Sequence, residues 1–194
     1  MTLTPQILLK AYCQGVFPMA EEDGTIYWYD PDPRTIMPLD GFHASRSLQR
    51  TIRRGIFEVR FNTSFQEVMR ACAEPAPQRE TTWINDEFIE VYTLLHRAGY
   101  AHSVETWRDG QLVGGVYGVQ IQGLFAGESM FSRKTDASKV ALAYLVERLQ
   151  TRGFVVFDVQ FTTDHLRRLG AVEMSRDAYK SLLINALNAD ATFV

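Results

Sequence analysis

Three closely spaced β-strand patterns in the middle of the chain constrain its fold more than any other feature. They read AHSVETW, LVGGVYGVQ and LFAGESM, and only the short segments RDGQ and IQG separate them. Asp109-Gly110 in the first of these segments is typical of a tight hairpin turn. The flanking runs are rich in valine and aromatic residues, as strands are. We therefore predict a meander of three antiparallel strands.

A helix and another strand follow this meander. ASKVALAYLVERLQTRG has apolar residues at helical spacing, and FVVFDVQ has the apolar run of a buried strand. A short helix, a short strand and a last helix complete the chain. This order resembles that of the N-acetyltransferase-like acyltransferases. We therefore predict an α/β (α+β) fold with an acyl-CoA N-acyltransferase-like (GNAT-like) mixed sheet.

The N-terminal part of the chain predicts a smaller unit. Thr4 suits a helix cap and Pro5 the first helical turn. Residues 16–42 then hold four prolines and two glycines, which break the segment into short extended pieces and turns. We predict a small N-terminal α+β subdomain over residues 1–42 and a GNAT-like catalytic domain over residues 43–194.

Three helices are predicted between this subdomain and the meander. The first begins after Ser45, the second has capping-box spacing at Ser64 and Glu67, and the third begins after Asn85. The second and third helices each present one apolar stripe for burial. The stripes are Phe65, Val68, Met69 and Cys72, and Phe88, Val91, Tyr92 and Leu95.

Composition excludes several classes of function. No apolar run approaches the ~20 residues that a membrane span needs, and the N-terminal residues lack a secretory pattern, so we expect a cytoplasmic protein. Cys13 and Cys72 stand alone in the sequence, which indicates two buried, reduced thiols. The four histidines do not cluster, so we predict no metal site. With a net charge of −3, any RNA binding requires a local basic patch.

The loop before the central helix argues against acetyl-CoA as a substrate. N-acetyltransferases cradle the coenzyme A pyrophosphate in a glycine-rich loop at this place. Here the loop reads FSRKTDAS and contains no glycine, so its backbone amides are not expected to wrap a diphosphate. An acetyl-CoA-dependent enzyme and a non-catalytic RNA-binding module are the alternatives to the function implied below.

Ten short segments, in chain order, resemble the leucyl/phenylalanyl-tRNA–protein transferase family. They are GVFPM (15–19), WYDPDPR (28–34), HASRSL (43–48), TWIN (82–85), AHSVE (101–105), LVGGVYGV (112–119), GESMFS (127–132), ASK (137–139), DVQ (158–160) and HLRRLGA (165–171). One such string is weak, whereas ten in order over nearly the whole chain are specific.

The resemblance implies an aminoacyltransferase. Such an enzyme moves leucine, phenylalanine and, less readily, methionine from aminoacyl-tRNA to the N-terminal arginine or lysine of other proteins. The product is marked for degradation by the N-end rule pathway. The implied partners are therefore aminoacyl-tRNA and acceptor proteins or peptides. No membrane, metal or organic cofactor is implied.

The resemblance implies that Asp158, Gln160 and Glu128 are catalytic. Asp158 and Gln160 are two apart on a predicted strand, so they share a face. We expect the Gln160 amide oxygen to accept a hydrogen bond from the attacking amine, with Asp158 orienting Gln160 and helping to remove the proton. We expect Glu128 to hydrogen-bond the free amine of the aminoacyl group. Proton removal by the tRNA's terminal ribose is an open alternative, and all three residues also fit solvent-facing strand ends.

The resemblance also implies substrate contacts. The implied walls of an apolar slot for the leucine or phenylalanine side chain are Val116, Phe125, Met130, Leu142 and Phe157. The implied aromatic contacts of the tRNA 3′-adenosine are Trp28, Tyr29, Tyr92 and Trp83. The slot residues fit a plain hydrophobic core equally well, and the aromatic residues also fit interdomain or core packing.

A basic helix face is the remaining candidate site. Arg46, Arg50, Arg53 and Arg54 recur at i, i+4, i+7 and i+8 after the predicted subdomain. Such a cluster in an acidic protein suits phosphate binding, and the resemblance implies contact with the tRNA acceptor stem. A solvated helix face is the alternative.

Overall fold

The computed structural model describes residues 3–21, 23–75 and 82–194, and these form a mixed α/β fold. The helices are α1 (Pro5–Cys13), α2 (Arg46–Arg53), α3 (Phe65–Ala73), α4 (Asp86–Arg97), α5 (Ala137–Thr151), α6 (Asp164–Arg168) and α7 (Arg176–Leu187). The strands are β1 (Phe17–Ala20), β2 (Ile26–Tyr29), β3 (Arg34–Ile36), β4 (Glu58–Phe61), β5 (Ala101–Arg108), β6 (Gln111–Ile121), β7 (Leu124–Ser132), β8 (Val156–Gln160) and β9 (Val172–Met174).

A seven-stranded sheet in the order β4-β5-β6-β7-β8-β3-β9 forms the centre of the fold. The predicted meander is confirmed as β5, β6 and β7, which are antiparallel neighbours. Asp109 and Gly110 both have positive φ, 53° and 73°, as the twist of a two-residue hairpin turn requires. β8 then pairs parallel to β7, because α5 carries the chain back across the sheet.

The main sheet also includes a strand from the predicted N-terminal subdomain. β3 lies between β8 and β9 and is antiparallel to both. β1 and β2 form a separate hairpin. The main sheet therefore includes residues from Arg34 onward, ahead of the boundary predicted near Phe42, because the three residues of β3 pair with both β8 and β9.

Helices cover both faces of the sheet. One apolar layer packs α1, α3, α4 and α7 against one face, with Tyr12, Phe88 and Tyr179 among its buried side chains. The other layer packs α2, α5 and α6 against the opposite face, with Leu142 and Phe157 among its members. Alternate residues of β7 and β8 enter the two layers, as Leu124 and Phe125 do, which is the expected consequence of the strand's two-residue period.

Three of the four helix starts predicted from capping residues have the expected side-chain cap. The side chains of Thr4, Ser45 and Asn85 each accept a hydrogen bond from the first turn of their helix. The capping box at Ser64 is wrong, because the Ser64 side chain makes no cap hydrogen bond. The fully buried carboxylate of Glu105, on β5, accepts the Ser64 N–H at 3.3 Å instead. A distant carboxylate therefore replaces the local cap.

Candidate active site

A β-bulge in the meander sets the orientation of Glu128. Tyr117 of β6 pairs with Ser129, and Gly118 pairs with Gly127, which leaves Glu128 without an opposite residue. A bulge of this kind shifts the alternation of side chains and re-aims the extra residue. The Glu128 side chain is 9% exposed. The bulge thus places a nearly buried carboxyl group on β7.

Two tyrosine hydroxyls extend from Glu128 into the fold. The Tyr92 hydroxyl donates to Glu128 Oε2 at 3.4 Å, and the Tyr12 and Tyr92 hydroxyl oxygens are 2.5 Å apart. Burial is the main cause that raises the pKa of the Glu128 carboxyl to about 8. The hydrogen bonds from Tyr12 and Tyr92 and the charge of Arg34 lower it, and the charge of Asp158 adds to the rise. A carboxyl group with this pKa can take and return a proton near neutral pH.

Gln160 meets Glu128 at the end of β8. Its Nε2 donates to Glu128 Oε1 at 3.0 Å. The backbone of Gln160 has a φ of 66°, which lies in the left-handed region. Two of the three residues that the resemblance assigns to the reaction centre, Glu128 on β7 and Gln160 on β8, are therefore in direct contact.

Asp158 is enclosed rather than exposed at a strand end. Its Oδ1 accepts hydrogen bonds from Arg34 Nε at 2.9 Å and from the Gln160 N–H at 2.9 Å. Its Oδ2 accepts from Arg34 Nη2 at 2.5 Å and from the Tyr179 hydroxyl at 2.9 Å. Asp158 is 0% exposed. The solvent-facing alternative is therefore wrong, and Asp158 contacts Gln160 through its main chain.

Arg34 is a buried residue of this region that the sequence analysis did not single out. Its Nη1 donates to the Gly15 carbonyl at 2.9 Å. The guanidinium carbon lies 4.7 Å from the ring centre of Phe17 and 4.5 Å from that of Tyr179, within cation–π range. The available signal was its position at the end of WYDPDPR, where a lone arginine follows two prolines.

An apolar cavity of about 220 Å³ opens beside Glu128. Its walls include Val116, Met130, Leu142 and Phe157, four of the five predicted slot residues. The fifth, Phe125, does not line it, because Phe125 packs behind Phe157 with the ring centres 5.8 Å apart. Glu128 and this cavity can therefore receive a polar group and an apolar side chain of one molecule.

The aromatic residues predicted to contact the 3′-adenosine lie in different places. Tyr29 stacks on Phe17 at 5.8 Å and approaches Phe161, the neighbour of Gln160, at 6.2 Å. Trp28 points to the opposite face of β2 and is 40% exposed. Of this set, Tyr29 is the one that the structure places beside Gln160.

The other two predicted adenosine contacts are Trp83, which precedes α4, and Tyr92, which lies on α4. Trp83 is half-buried in a loop, with its ring 5.4 Å from that of Phe88. Tyr92 is fully buried, so its ring cannot stack on an RNA base. The apolar stripe of α4 carries Tyr92 inward, and its hydroxyl reaches Glu128 instead.

The predicted basic face is present on the surface. Arg46, Arg50, Arg53 and Arg54 are all exposed on or directly after α2. Among the described residues none of them has an ion-pair partner. Leu48 is the buried residue of this helix, so the arginines face away from the core.

The remaining expectations concern buried thiols, the roles of the histidines, metal ligands and membrane-spanning helices. Cys72 is buried, but Cys13 is exposed, so the expectation of two buried thiols is half wrong. His96 and His102 hydrogen-bond backbone carbonyls. In the part of the chain that the structure describes, no group of three metal-ligating side chains gathers. No helix there is both long and apolar enough to cross a bilayer.

Comparison with known proteins defines the class. The family described as "Leucyl/phenylalanyl-tRNA protein transferase" matches residues 36–184, and its N-terminal domain matches residues 1–32. A leucyl/phenylalanyl-tRNA–protein transferase of Herpetosiphon aurantiacus is 60% identical over 192 residues, covering 98% of both chains. One of Paramagnetospirillum magneticum is 51% identical over 193 residues, covering 98% of this chain and 92% of its own.

A solved structure of L-PGS from Bacillus licheniformis is similar at a TM-score of 0.41 and 12% identity. It covers 84% of this chain and 55% of that one, and the likeness carries no weight at that score. The family match and the two relatives define an aminoacyltransferase that uses charged tRNA. The chain belongs to the leucyl/phenylalanyl-tRNA–protein transferase family.

Proposed function

We propose that this enzyme transfers leucine or phenylalanine, and less readily methionine, from aminoacyl-tRNA to the N-terminal arginine or lysine of other proteins. The product would enter N-end rule degradation in the cytoplasm. The observation that carries the proposal is the contact of Gln160 with Glu128 beside an apolar cavity. A GNAT-like sheet with an appended N-terminal unit is the architecture that we propose for it.

The transfer forms one bond and breaks one. The acceptor's α-amine nitrogen attacks the ester carbon of the aminoacyl group, an amide bond forms, and the terminal ribose oxygen of the tRNA leaves with a proton. No energy beyond the ester is needed, so the enzyme's task is to position both substrates and to handle the proton.

Gln160 and Glu128 divide this task in our proposal. Because Gln160 Nε2 donates to Glu128, the amide Oε1 of Gln160 is the atom left to accept a hydrogen bond from the attacking amine. Glu128 has a pKa of about 8, raised chiefly by burial, so it can accept the amine proton and return one to the ribose oxygen. Asp158 orients Gln160 and touches no reacting atom.

The cavity beside Glu128 is proposed to hold the leucine or phenylalanine side chain. Val116→Phe places a ring in this space of about 220 Å³. We expect kcat/KM for phenylalanyl-tRNA to fall about 10- to 100-fold, and to fall less for leucyl-tRNA, because apolar slots discriminate by about 1–3 kcal/mol per methylene. The measurement is transfer rate with each charged tRNA.

Val155→Phe is the matched control for this prediction, because Val155 is 39% exposed and lies outside the cavity. It should leave both rates unchanged. Equal rates for Val116→Phe and the wild type with phenylalanyl-tRNA would contradict the assignment of the slot.

The arginine face of α2 is proposed to bind phosphates of the tRNA acceptor stem. Replacing Arg50 and Arg53 by glutamate should raise KM for aminoacyl-tRNA and leave kcat unchanged. The slope of log KM against log salt should fall by about one for each phosphate contact removed. Arg97→Glu, on the exposed end of α4, is the control. An unchanged salt slope in the double variant would remove this surface from the tRNA interface.

The acceptor and donor claims are tested together. Purified protein is mixed with tRNA charged with labelled leucine. Separate reactions contain peptides that begin with arginine, lysine, alanine or acetyl-arginine. Label should appear in the first two peptides alone, because the reaction needs a free amine on a basic residue. Transfer to the alanine peptide at an equal rate would overturn the acceptor assignment, and acetyl transfer from acetyl-CoA would favour the alternative enzyme class.

A further inference from the structure

The backbone at Gln160 is strained. Its φ of 66° is a conformation that side-chain-bearing residues rarely adopt. The Phe161 N–H donates to the Val159 carbonyl at 2.8 Å across it. A bond from residue i+2 to residue i around a positive φ is the rarer, strained form of the γ-turn. Such strain persists only where surrounding groups over-determine the conformation.

Asp158 is the group that holds this turn. Its Oδ1 accepts the Gln160 N–H at 2.9 Å, so the carboxylate fixes the turn through the main chain. Arg34 and Tyr179 in turn occupy the same carboxylate from other elements, β3 and α7. The four residues of this network are each at most 7% exposed, so water does not substitute for a partner that is removed. They are Arg34, Asp158, Gln160 and Tyr179.

We propose that Arg34 and Tyr179 are positioning residues for the transfer reaction. They fix the Asp158 carboxylate, which fixes the turn that aims the Gln160 amide at Glu128. Neither residue touches substrate. The inference rests on the function proposed above and adds a route by which β3 and α7 control the reaction centre.

The anchoring of Arg34 links this route to the N-terminal part of the chain. Its Nη1 donates to the Gly15 carbonyl at 2.9 Å, and its guanidinium is flanked by the Phe17 ring. Gly15 follows α1, and Phe17 is the first residue of β1. One side chain, that of Arg34, therefore contacts both the hairpin that carries Tyr29 and the strand that carries Gln160.

A double-mutant cycle on kcat tests the proposal. The variants are Tyr179→Phe, Gln160→Ala and the pair together. Tyr179→Phe removes one hydroxyl from a buried carboxylate, and we expect kcat to fall about tenfold, with both KM values unchanged. In the Gln160→Ala background the same change should alter kcat less than about twofold, because the residue acts only through Gln160.

Stability is measured in the same four proteins, because a merely structural role predicts a different pattern. Tyr179→Phe should lower Tm equally in the wild-type and Gln160→Ala backgrounds. Its effect on kcat should appear in the wild-type background and vanish in the Gln160→Ala background. Val146→Ala, a buried change on α5 away from Asp158, is the control: it should lower Tm and leave kcat unchanged.

Two results would overturn the inference while leaving the proposed function intact. One is a wild-type kcat in Tyr179→Phe. The other is a tenfold loss of kcat in both backgrounds, which is what independent effects give. A folded wild type that transfers no amino acid would instead refute the proposed function itself, so the two failures are distinguishable.

Discussion

Glu128→Gln is expected to lower kcat by about 10²- to 10⁴-fold, the usual contribution of a positioned acid–base group. The amide keeps the size of the side chain and its place on the bulge of β7, but it cannot take a proton. In the wild type, kcat/KM should rise with pH and level off above about 8, where the Glu128 carboxyl is ionised. The variant should keep only the rise that comes from deprotonation of the acceptor's α-amine, so the wild-type profile should be the steeper of the two.

The same variant is expected to be more stable than the wild type in alkali. Burial raises the pKa of Glu128 from 4.5 to about 8, so the folded protein keeps a proton that the unfolded chain releases. The stability from this proton is complete below pH about 4.5 and is lost as pH rises through about 8. At about 1.4 kcal/mol per pKa unit, the loss is about 5 kcal/mol at most.

Glu128→Gln should therefore unfold at a higher denaturant concentration than the wild type above pH 8, and the difference should disappear near pH 4. Glu90→Gln, on the exposed side of α4, is the control for both the rate and the unfolding curve. A Glu128→Gln protein with wild-type kcat would show that the proton leaves by another route, such as the tRNA ribose.

Arg34→Leu is expected to lower the free energy of unfolding by about 3–5 kcal/mol, because it leaves the buried Asp158 carboxylate without its ion-pair partner. The pair is 1% exposed on both sides, so solvent does not screen the loss. Urea unfolding of the variant and the wild type at pH 7 measures the difference. Arg97→Leu, at an exposed arginine, should unfold as the wild type does.

The double variant Arg34→Leu with Asp158→Leu separates charge burial from packing. Removing both charges should restore part of the lost stability, because no ion then remains unpaired. Recovery should be incomplete, since the Tyr179 hydroxyl and the Gln160 N–H lose their acceptor. Equal unfolding midpoints for Arg34→Leu and the wild type would contradict the account of this pair.

Local signals were enough to predict the meander and the helices. Asp109-Gly110 specifies its turn through the backbone of two adjacent residues, and Asn85 caps α4 within a few residues of itself. Information of this kind lies inside a short window of sequence, so periodicity and turn chemistry recover it.

Contacts between distant segments were beyond the reach of those signals. Arg34 and Asp158 are 124 residues apart in the chain, and neither residue type specifies the other. The bulge at Glu128 depends on the register in which β6 and β7 pair. The turn at Gln160 depends on the hydrogen bonds that Arg34 and Tyr179 donate to Asp158. Tyr92 has the spacing of a core residue, and only the assembled fold shows that its hydroxyl meets Glu128.

The resemblance supplied the site residues that periodicity could not. It singled out Asp158, Gln160 and Glu128 as chemical residues, and the structure places these three in one connected network. It did not separate Phe125 from the slot residues, because both kinds are apolar and buried. That distinction requires knowing which side of Phe157 faces the cavity.

The central claim is that this chain transfers leucine from tRNA to an amino terminus through Gln160 and Glu128. Single-turnover transfer of labelled leucine to an arginine-led peptide, with wild type and Gln160→Ala side by side, tests it most directly. We predict transfer by the wild type and a rate at least about 10²-fold lower in the variant. Equal rates, or no transfer by a folded wild type while the leucyl-tRNA stays intact, would contradict the account.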